Sequence, residues 1–252
     1  MRELTKRTIA LGLVAAMSAA LFAGCGSSES SSADANAKSE GVMTYAEYEA
    51  ADVDSEVTIE AYVQAATSWW DNKITIYAQD PDGAYFIYDM ACSEEDAAKL
   101  TKGTKLKATG YKSEWSGEVE IVDASFEIED GSYVAEATDV TSLLGTDELA
   151  SKMNQFVAFT DMEVVASVDA DGNEAASLYN WDGSGAQGDD VYFNVSKDGQ
   201  TYTFLVRKYI TDSSTDVYKA AEALNIGDKL DMEGFLYWYE GPNPHITSIT
   251  VK

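Results

Sequence analysis

Three tryptophans sit where a ligand could stack. Trp69 and Trp70 are adjacent in "TSWWDN", and Trp115 lies in "KSEWSG". Neighbouring side chains of an extended strand leave on opposite faces, so one of the adjacent pair turns toward solvent. An exposed indole offers a flat apolar face to a sugar or a base. Tyr77, Tyr85 and Tyr88 lie between these tryptophans and could form a floor. The competing reading is that the same rings close the ends of the fold, or seal a contact between two parts of the chain.

A second group is basic. Lys99, Lys102, Lys105, Lys107 and Lys112 cluster just before Trp115. Lys105 and Lys107 share one strand face, and a basic strip beside an aromatic is how a groove holds single-stranded nucleic acid or an anionic glycan. The same alternation, with Leu106 and Ala108 pointing the other way, also describes an ordinary strand with one solvated face.

Reactive groups are few. His245 is the only histidine, set in "GPNPHITSI" without a mate for a metal site or a Ser or Cys partner at recognisable spacing. It reads as a surface or half-buried residue. Cys92, in "DMACSEED", reads as a buried, inert thiol. "DADGNE" at Asp169–Glu174 begins like a calcium loop, but position twelve, where the loop needs Glu, is Asn180. Asp171-Gly172 there reads as a hairpin turn. "NWDGSGAQGDD" is rich in glycine, but no helix follows to cradle a phosphate. No catalytic residue, metal site or cofactor is expected, and the chain reads as a binding protein rather than an enzyme.

The elements that would carry these residues show themselves through a repeat. Leu100, Gly103, Lys105, Leu106, Gly110 and Gly117 match Leu224, Gly227, Lys229, Leu230, Gly234 and Gly241 at a constant offset, without a gap. Tyr111 becomes Phe235, and Trp115 becomes Tyr239. A helix precedes each copy, "SEEDAAKL" behind Ser93 and "SSTDVYKAAEAL" with an apolar stripe at Val217, Ala220, Ala221 and Leu224. Strands are expected at "EVTIEAYVQAA", "KITIYAQD" and "AYFIYDM" before the first helix, and at "TKLKATGYKS" and "GEVEIVDASFEIE" after it. The second half reads in the same order, "FVAFTDMEVVASV", "DDVYFNVS" and "QTYTFLVRKYI", then "DKLDMEGFLYW" and "HITSITVK". "TYAEYEAA", with a capping box at Thr44 and Glu47, and "TDELASKMN" read as lead-in helices. Gly103 and Gly227 are expected to end the helices, and Gly110 and Gly234 to let a strand bend sharply.

Five strands with a helix between the third and fourth resembles the OB-fold, a small Greek-key barrel. The expected fold is therefore all-β with minor α, two tandem five-stranded barrels, each with a helix between strands three and four. Residues 44–133 would form the first domain, 134–145 a linker and 146–252 the second domain. In OB-folds ligands lie across strands two and three and the loops beside them. The resemblance thus implies a site at Trp69, Trp70 and Trp115, with Tyr237, Trp238 and Tyr239 repeating the loop position.

The composition limits the partners. The chain has 252 residues, 44 acidic against 17 basic, for a net charge of −27. Such a field repels phosphate backbones and anionic lipid headgroups at long range and favours solubility. With 45% apolar residues, 15 Tyr and 5 Trp, there is ample material for packed cores. The start carries the address: basic "MRELTKRT", the short apolar run "IALGLVAAMSAALF", then "AGC". This is the layout of an export signal, expected over residues 1–24. "LFAGC" at Leu21–Cys25 resembles the lipobox of bacterial lipoproteins, with Phe22 as its one departure. That resemblance implies lipidation of Cys25, with acyl chains of the palmitate type anchoring the protein to the outer side of the cell membrane. Ser-rich residues 25–43 read as a tether. The whole arrangement is similar to lipoproteins of Gram-positive anaerobes. The expected function is a membrane-anchored extracytoplasmic binding module for a saccharide or cell-envelope polymer. The alternatives are single-stranded nucleic-acid binding by the first domain, or a protein-interaction scaffold in an envelope complex. If the lipobox reading holds, Cys25→Ser moves the protein from the membrane fraction to the soluble fraction, as blotting of the two fractions reads out; a variant that stays lipid-modified refutes it.

Overall fold

A computed structural model describes residues 35–252. The signal segment, Cys25 and most of the Ser-rich stretch lie outside the described residues.

The first barrel is built from β1 (Glu56–Ala66), β2 (Lys73–Gln79), β3 (Ala84–Ala91), β4 (Thr104–Trp115) and β5 (Glu118–Ser132). The strands run round the barrel in the order β1-β2-β3-β5-β4, and β4 closes on β1. All pairings are antiparallel except β3 with β5. Helix α1 (Tyr45–Ala50) leads in, and α2 (Glu94–Ala97) lies in the chain between β3 and β4. The interior holds Ile59, Ile76, Tyr85, Ile87, Met90, Leu106 and Ile121, all shielded from water. α1 is fixed at both ends. Thr44 and Glu47 form a reciprocal capping box. Lys112, buried, donates to the carbonyls of Tyr48, Glu49 and Ala51 and satisfies the orphan acceptors at the other end.

The second barrel repeats this order. A short strand β6 (Thr138–Asp139) precedes β7 (Phe156–Val165). A long excursion then carries β8 (Ser167–Val168), β9 (Glu174–Ala175) and β10 (Leu178–Tyr179). β11 (Val191–Lys197), β12 (Gln200–Val206), helix α3 (Asp216–Glu222), β13 (Lys229–Phe235) and β14 (His245–Val251) follow. β11, β12, β14, β13 and β7 form a ring that closes through β7 with β11, and here the one parallel pairing is β12 with β14. Phe159, Phe193, Phe204, Tyr218 and Leu230 fill it. Both closed rings have the OB-fold strand order. The second lead-in is a 3₁₀ helix, Asp147–Lys152, rather than an α-helix.

Two stretches expected as connections are parts of the fold. The end of the tether is docked. Lys38 reaches Asp80 at 2.6 Å and the Glu60 carbonyl at 2.7 Å, both buried. Asp80 spends its remaining capacity on the amides of Asp82 and Gly83 and on the Tyr85 hydroxyl. A buried carboxylate needs such company, which holds residues 38–39 against the barrel. The linker, likewise, lays β6 beside β7 and buries Val140 in the second core.

The repeated glycines divide into two kinds. Gly103 and Gly227 adopt φ of +93° and +96°. They lie beyond the helix ends, in the turn into the fourth strand, and each donates its amide to the first strand of its barrel, at Val63 and Val164. Gly110 and Gly234 sit at β-bulges of the fourth strand. A Cβ on Gly234 would lie 2.3 Å from the His245 carbonyl oxygen, and one on Gly110 would lie 2.7 Å from that of Val122. Around Gly227 there is open space. Gly234→Ala should therefore cost about 3 kcal/mol through backbone collision. Gly227→Ala should cost about 1 kcal/mol through its left-handed backbone alone. Urea midpoints of the two variants test this, and equal losses would refute the distinction.

Candidate functional site

The two barrels meet through an aromatic seal. Tyr77 of β2 and Phe86 of β3 are cross-strand partners on the outer face of the first barrel. Tyr77 stacks on Phe235 with centroids 4.4 Å apart, and Phe86 meets Tyr237 edge-on at 5.3 Å. The Tyr77 hydroxyl shares a 2.7 Å hydrogen bond with Nδ1 of His245, whose ring stacks on Tyr237. His245 is thus buried, not a surface residue. Burial and the nearby Arg207 guanidinium hold its pKa well below the usual histidine value, so it is neutral.

Backbone bonds fasten the rim of this contact. The Trp238 amide donates to Glu118, Glu240 to the Ser116 carbonyl, Ser68 to the Tyr209 carbonyl, and Phe156 to the Gln79 side chain. Gly117 has no side chain where the Trp238 ring passes, and a Cβ there would lie 2.8 Å from it. The equivalent residues of the repeat also touch: Trp115 packs on Tyr239 with centroids 5.2 Å apart.

Beside the seal lies a cleft of ≈ 1260 Å³. Tyr77, Phe86, Tyr237 and His245 form its floor. Its walls carry Trp70, Trp115 and Tyr88 from the first barrel and Trp181, Tyr209 and Tyr239 from the second. These rings are unusually open to solvent, with Trp70 at 80%, Trp181 at 75% and Trp115 at 53% exposure. Single exposed apolar residues are ordinary, but a convergent set from several loops marks a binding surface.

Tight turns aim two of the tryptophans. Asp71 and Asn72 take φ of +50° and +60° between Trp70 and Lys73, which exchange both backbone hydrogen bonds. Ser116 and Gly117, at +52° and +89°, do the same service after Trp115. Two consecutive positive φ values match the twist of the flanking strands and fix the hairpin tips. Trp181 comes from the long excursion after β10, a loop in which the sequence suggested no ligand contact.

The cations of the cleft are matched. Lys73 pairs with Asp89 at 3.1 Å and Arg207 with Asp190 at 2.8 Å. Asp71, on the lip between Trp70 and Lys73, is exposed, and among the described residues it makes no ion pair within 4 Å, though its charge acts on Lys73.

Of the residues expected to bind, the cleft gathers Trp70, Trp115, Tyr77 and Tyr88. Four others lie elsewhere. Trp69 points away from Trp70 and donates its indole N–H to the Cys92 carbonyl at 2.8 Å, a structural bond. Tyr85 is on the inner face of β3, packed against Tyr45 and Tyr48 inside the first barrel. Lys105 is locked between Glu60 and Glu129 at 2.8 and 2.9 Å. Lys107, half-buried, has Glu60 and Glu127 as cross-strand partners. Of the expected basic strip, Lys105 is therefore neutralised by its neighbours in the sheet, Lys107 faces carboxylates across it without a close ion pair among the described residues, and Lys102 lies over the Phe156 ring. Lys99 is held by Glu95 and Asp96, and Lys112 caps α1. Cys92 is buried, with its thiol pKa raised by burial. The Asp169 carboxylate is taken up by the amides of Asp171 and Asn173 and by the Asn173 side chain, so this segment is a self-bonded hairpin loop between β8 and β9.

No family model matches the chain, and no curated protein matches it. Similar solved structures include the HINa domain of Ifi202 in complex with a 20bp dsDNA, at 12% identity over 79% of this chain and 98% of that one, with a TM-score of 0.35. A murine DNA-binding protein bound with double-stranded DNA has 10% identity over 77% and 97%, TM-score 0.35. A deletion variant of the single-stranded DNA-binding protein from Thermus aquaticus has 11% identity over 78% and 93%, TM-score 0.23. At these scores the likeness transfers no ligand.

One buried acid at the seal gives the site a pH dependence. Glu118 is fully enclosed at the barrel contact. Its Oε2 accepts from Trp238, while Oε1 and the Oδ1 of adjacent Asn154 have no donor. Burial pushes its pKa up to about 8 against the opposing pull of the Asn154 side chain and the Trp238 amide, with the charge of Glu120 adding a smaller rise. A protonated Glu118 can donate to Asn154, which relieves both orphans. The unfolded chain releases this proton near pH 4.5 while the folded chain keeps it. Glu118 therefore costs stability progressively from about pH 4.5 to about 8, after which the loss levels off. His245 acts in the opposite sense, its contribution being lost as pH falls below about 6.5. The difference between wild type and Glu118→Gln isolates the first effect. The variant should match wild type at pH 4.5 and exceed its thermal midpoint by several degrees at pH 8. A difference independent of pH would show that Glu118 is ionised in the fold.

Proposed function

We propose that the protein is a lipid-anchored, extracytoplasmic binding module whose interbarrel cleft holds a saccharide or cell-envelope polymer. The observation that carries this reading is the convergence of exposed aromatic rings from both barrels on one cleft whose cations are already paired. Stacking and hydrogen bonds would hold the ligand, and no bond would be broken. The floor is rigidly bonded, so little ordering cost would fall on the complex. Twelve residues lie between Cys25 and the docked Lys38, a span of at most roughly 45 Å at ~3.5 Å per residue.

Single-stranded nucleic acid is the second reading, because indole faces stack bases as well as sugars, and Arg207 and Lys73 line the same cleft. Phosphate contacts make that binding fall steeply with salt, whereas stacking on sugars persists. Residues 26–252, offered glycans and single-stranded oligonucleotides at two salt concentrations, separate the two. The expected result is binding to a glycan class that persists at high salt. Trp70→Ala and Trp181→Ala should each weaken it about tenfold, or ~1.4 kcal/mol. Oligonucleotide binding that salt removes would overturn the saccharide reading. Silence on both would leave the cleft to a protein partner.

A further inference from the structure

The charges around the cleft select among saccharides. Its lining includes Asp71, Asp89, Lys73 and Arg207. Lys73 is spent on Asp89, and Arg207 is spent on Asp190 behind it. The carboxylate of Asp71 makes no ion pair within 4 Å among the described residues, although its charge joins that of Asp89 in raising the pKa of Lys73. It lies on the lip next to Trp70, whose ring is the most exposed large hydrophobic of the described residues. A cation placed there would meet a ring face and a carboxylate together, two attractions that act at the same spot. The field of the whole chain has the same sign, since the net charge of −27 raises the local concentration of cations and lowers that of anions.

Resting on the saccharide reading above, we propose that the cleft takes a saccharide bearing free amino groups, with a ligand ammonium seated between the Trp70 ring and the Asp71 carboxylate. The pyranose faces stack on the remaining rings, and the ammonium sets the register. Uronic-acid and phosphate-bearing polymers are disfavoured, because each anion would enter a cleft whose cations already face carboxylates and whose lip carries the Asp71 charge. N-acetylation of the amine removes the charge and with it this contact.

The test measures the affinity of the purified protein for a glucosamine oligomer, its fully N-acetylated counterpart and an oligogalacturonate of equal length. The glucosamine oligomer should bind about tenfold more tightly than the acetylated form at low salt, and high salt should shrink that advantage. Asp71→Asn should reduce the advantage about fivefold and leave the acetylated oligomer unaffected. Glu148→Gln, which removes an exposed acid outside the cleft, separates a seated ammonium from diffuse attraction to an acidic surface. It should leave all three affinities unchanged. Equal losses in the two variants would overturn the proposal, as would equal binding of the amine and acetylated forms or preference for the oligogalacturonate. Binding of the acetylated oligomer alone would refute the ammonium seat while sustaining the saccharide reading. Failure of every oligomer would refute both.

Discussion

The stack of Tyr77 on Phe235, with the Tyr77 hydroxyl bonded to His245, determines what the rest of the molecule can do. Each ring of strands closes on itself, so its ladder of strand pairings is complete without the other. What joins them is a small set of outward-facing rings with a buried polar pair at its centre, fastened at the rim by hydrogen bonds from backbone amides. Burying such rings is worth about 1.5–3 kcal/mol each. The hydroxyl–imidazole bond adds direction, because a slipped arrangement would leave two polar groups buried without partners. The neutral state of His245 suits this position, since an imidazolium would face Arg207 in an apolar contact. The angle between the barrels, and hence the shape of the cleft beside them, follows from that bonded centre.

Duplication accounts for the scaffold and divergence for the site. The turn that repeats most clearly, ending in an aromatic and a glycine, is the place where the copies meet, Trp115 against Tyr239 and Gly117 beneath Trp238. The connection between the first and second strands differs between the halves. In the first barrel a tight hairpin joins them and carries Trp70. In the second, β8, β9 and β10 intervene and carry the chain to Trp181. One architecture thus presents tryptophans to one cleft through unrelated loops.

Strand positions were legible in the sequence because alternation and flanking turns survive without tertiary information. β1 spans the stretch read for it, Glu56–Ala66. Facing was harder to read. β3 begins with Ala84, Tyr85, Phe86 and Ile87 all buried, since one face fills the barrel and the other meets the second barrel. A strand covered on both sides gives no parity signal, so Tyr85 and Tyr88 could not be told apart. The lysines failed for another reason. Lys105 is neutralised by Glu60 on β1 and Glu129 on β5, and only the register across three strands brings those charges together. Trp181 sits in a stretch with no periodicity, where a single aromatic carries little weight until its surroundings are known. The docking of Lys38 was hidden by composition. A Ser-rich stretch reads as tether throughout, whereas one lysine with a buried acceptor ends it.

On the proposed reading, charge distinguishes between ligands that ring faces alone treat alike. An indole face can stack either a base or a pyranose, so the rings alone do not discriminate. A groove for nucleic acid draws most of its affinity from cations free to replace counterions along the phosphates. Here Lys73, Arg207, Lys105 and Lys99 each have carboxylate partners within 3.1 Å. Recruiting them to a phosphate would mean breaking an existing pair inside a strongly acidic protein. A ligand that asks only for ring faces and acceptors would make no such demand, and one that brings its own positive charge would meet the Asp71 carboxylate on the lip.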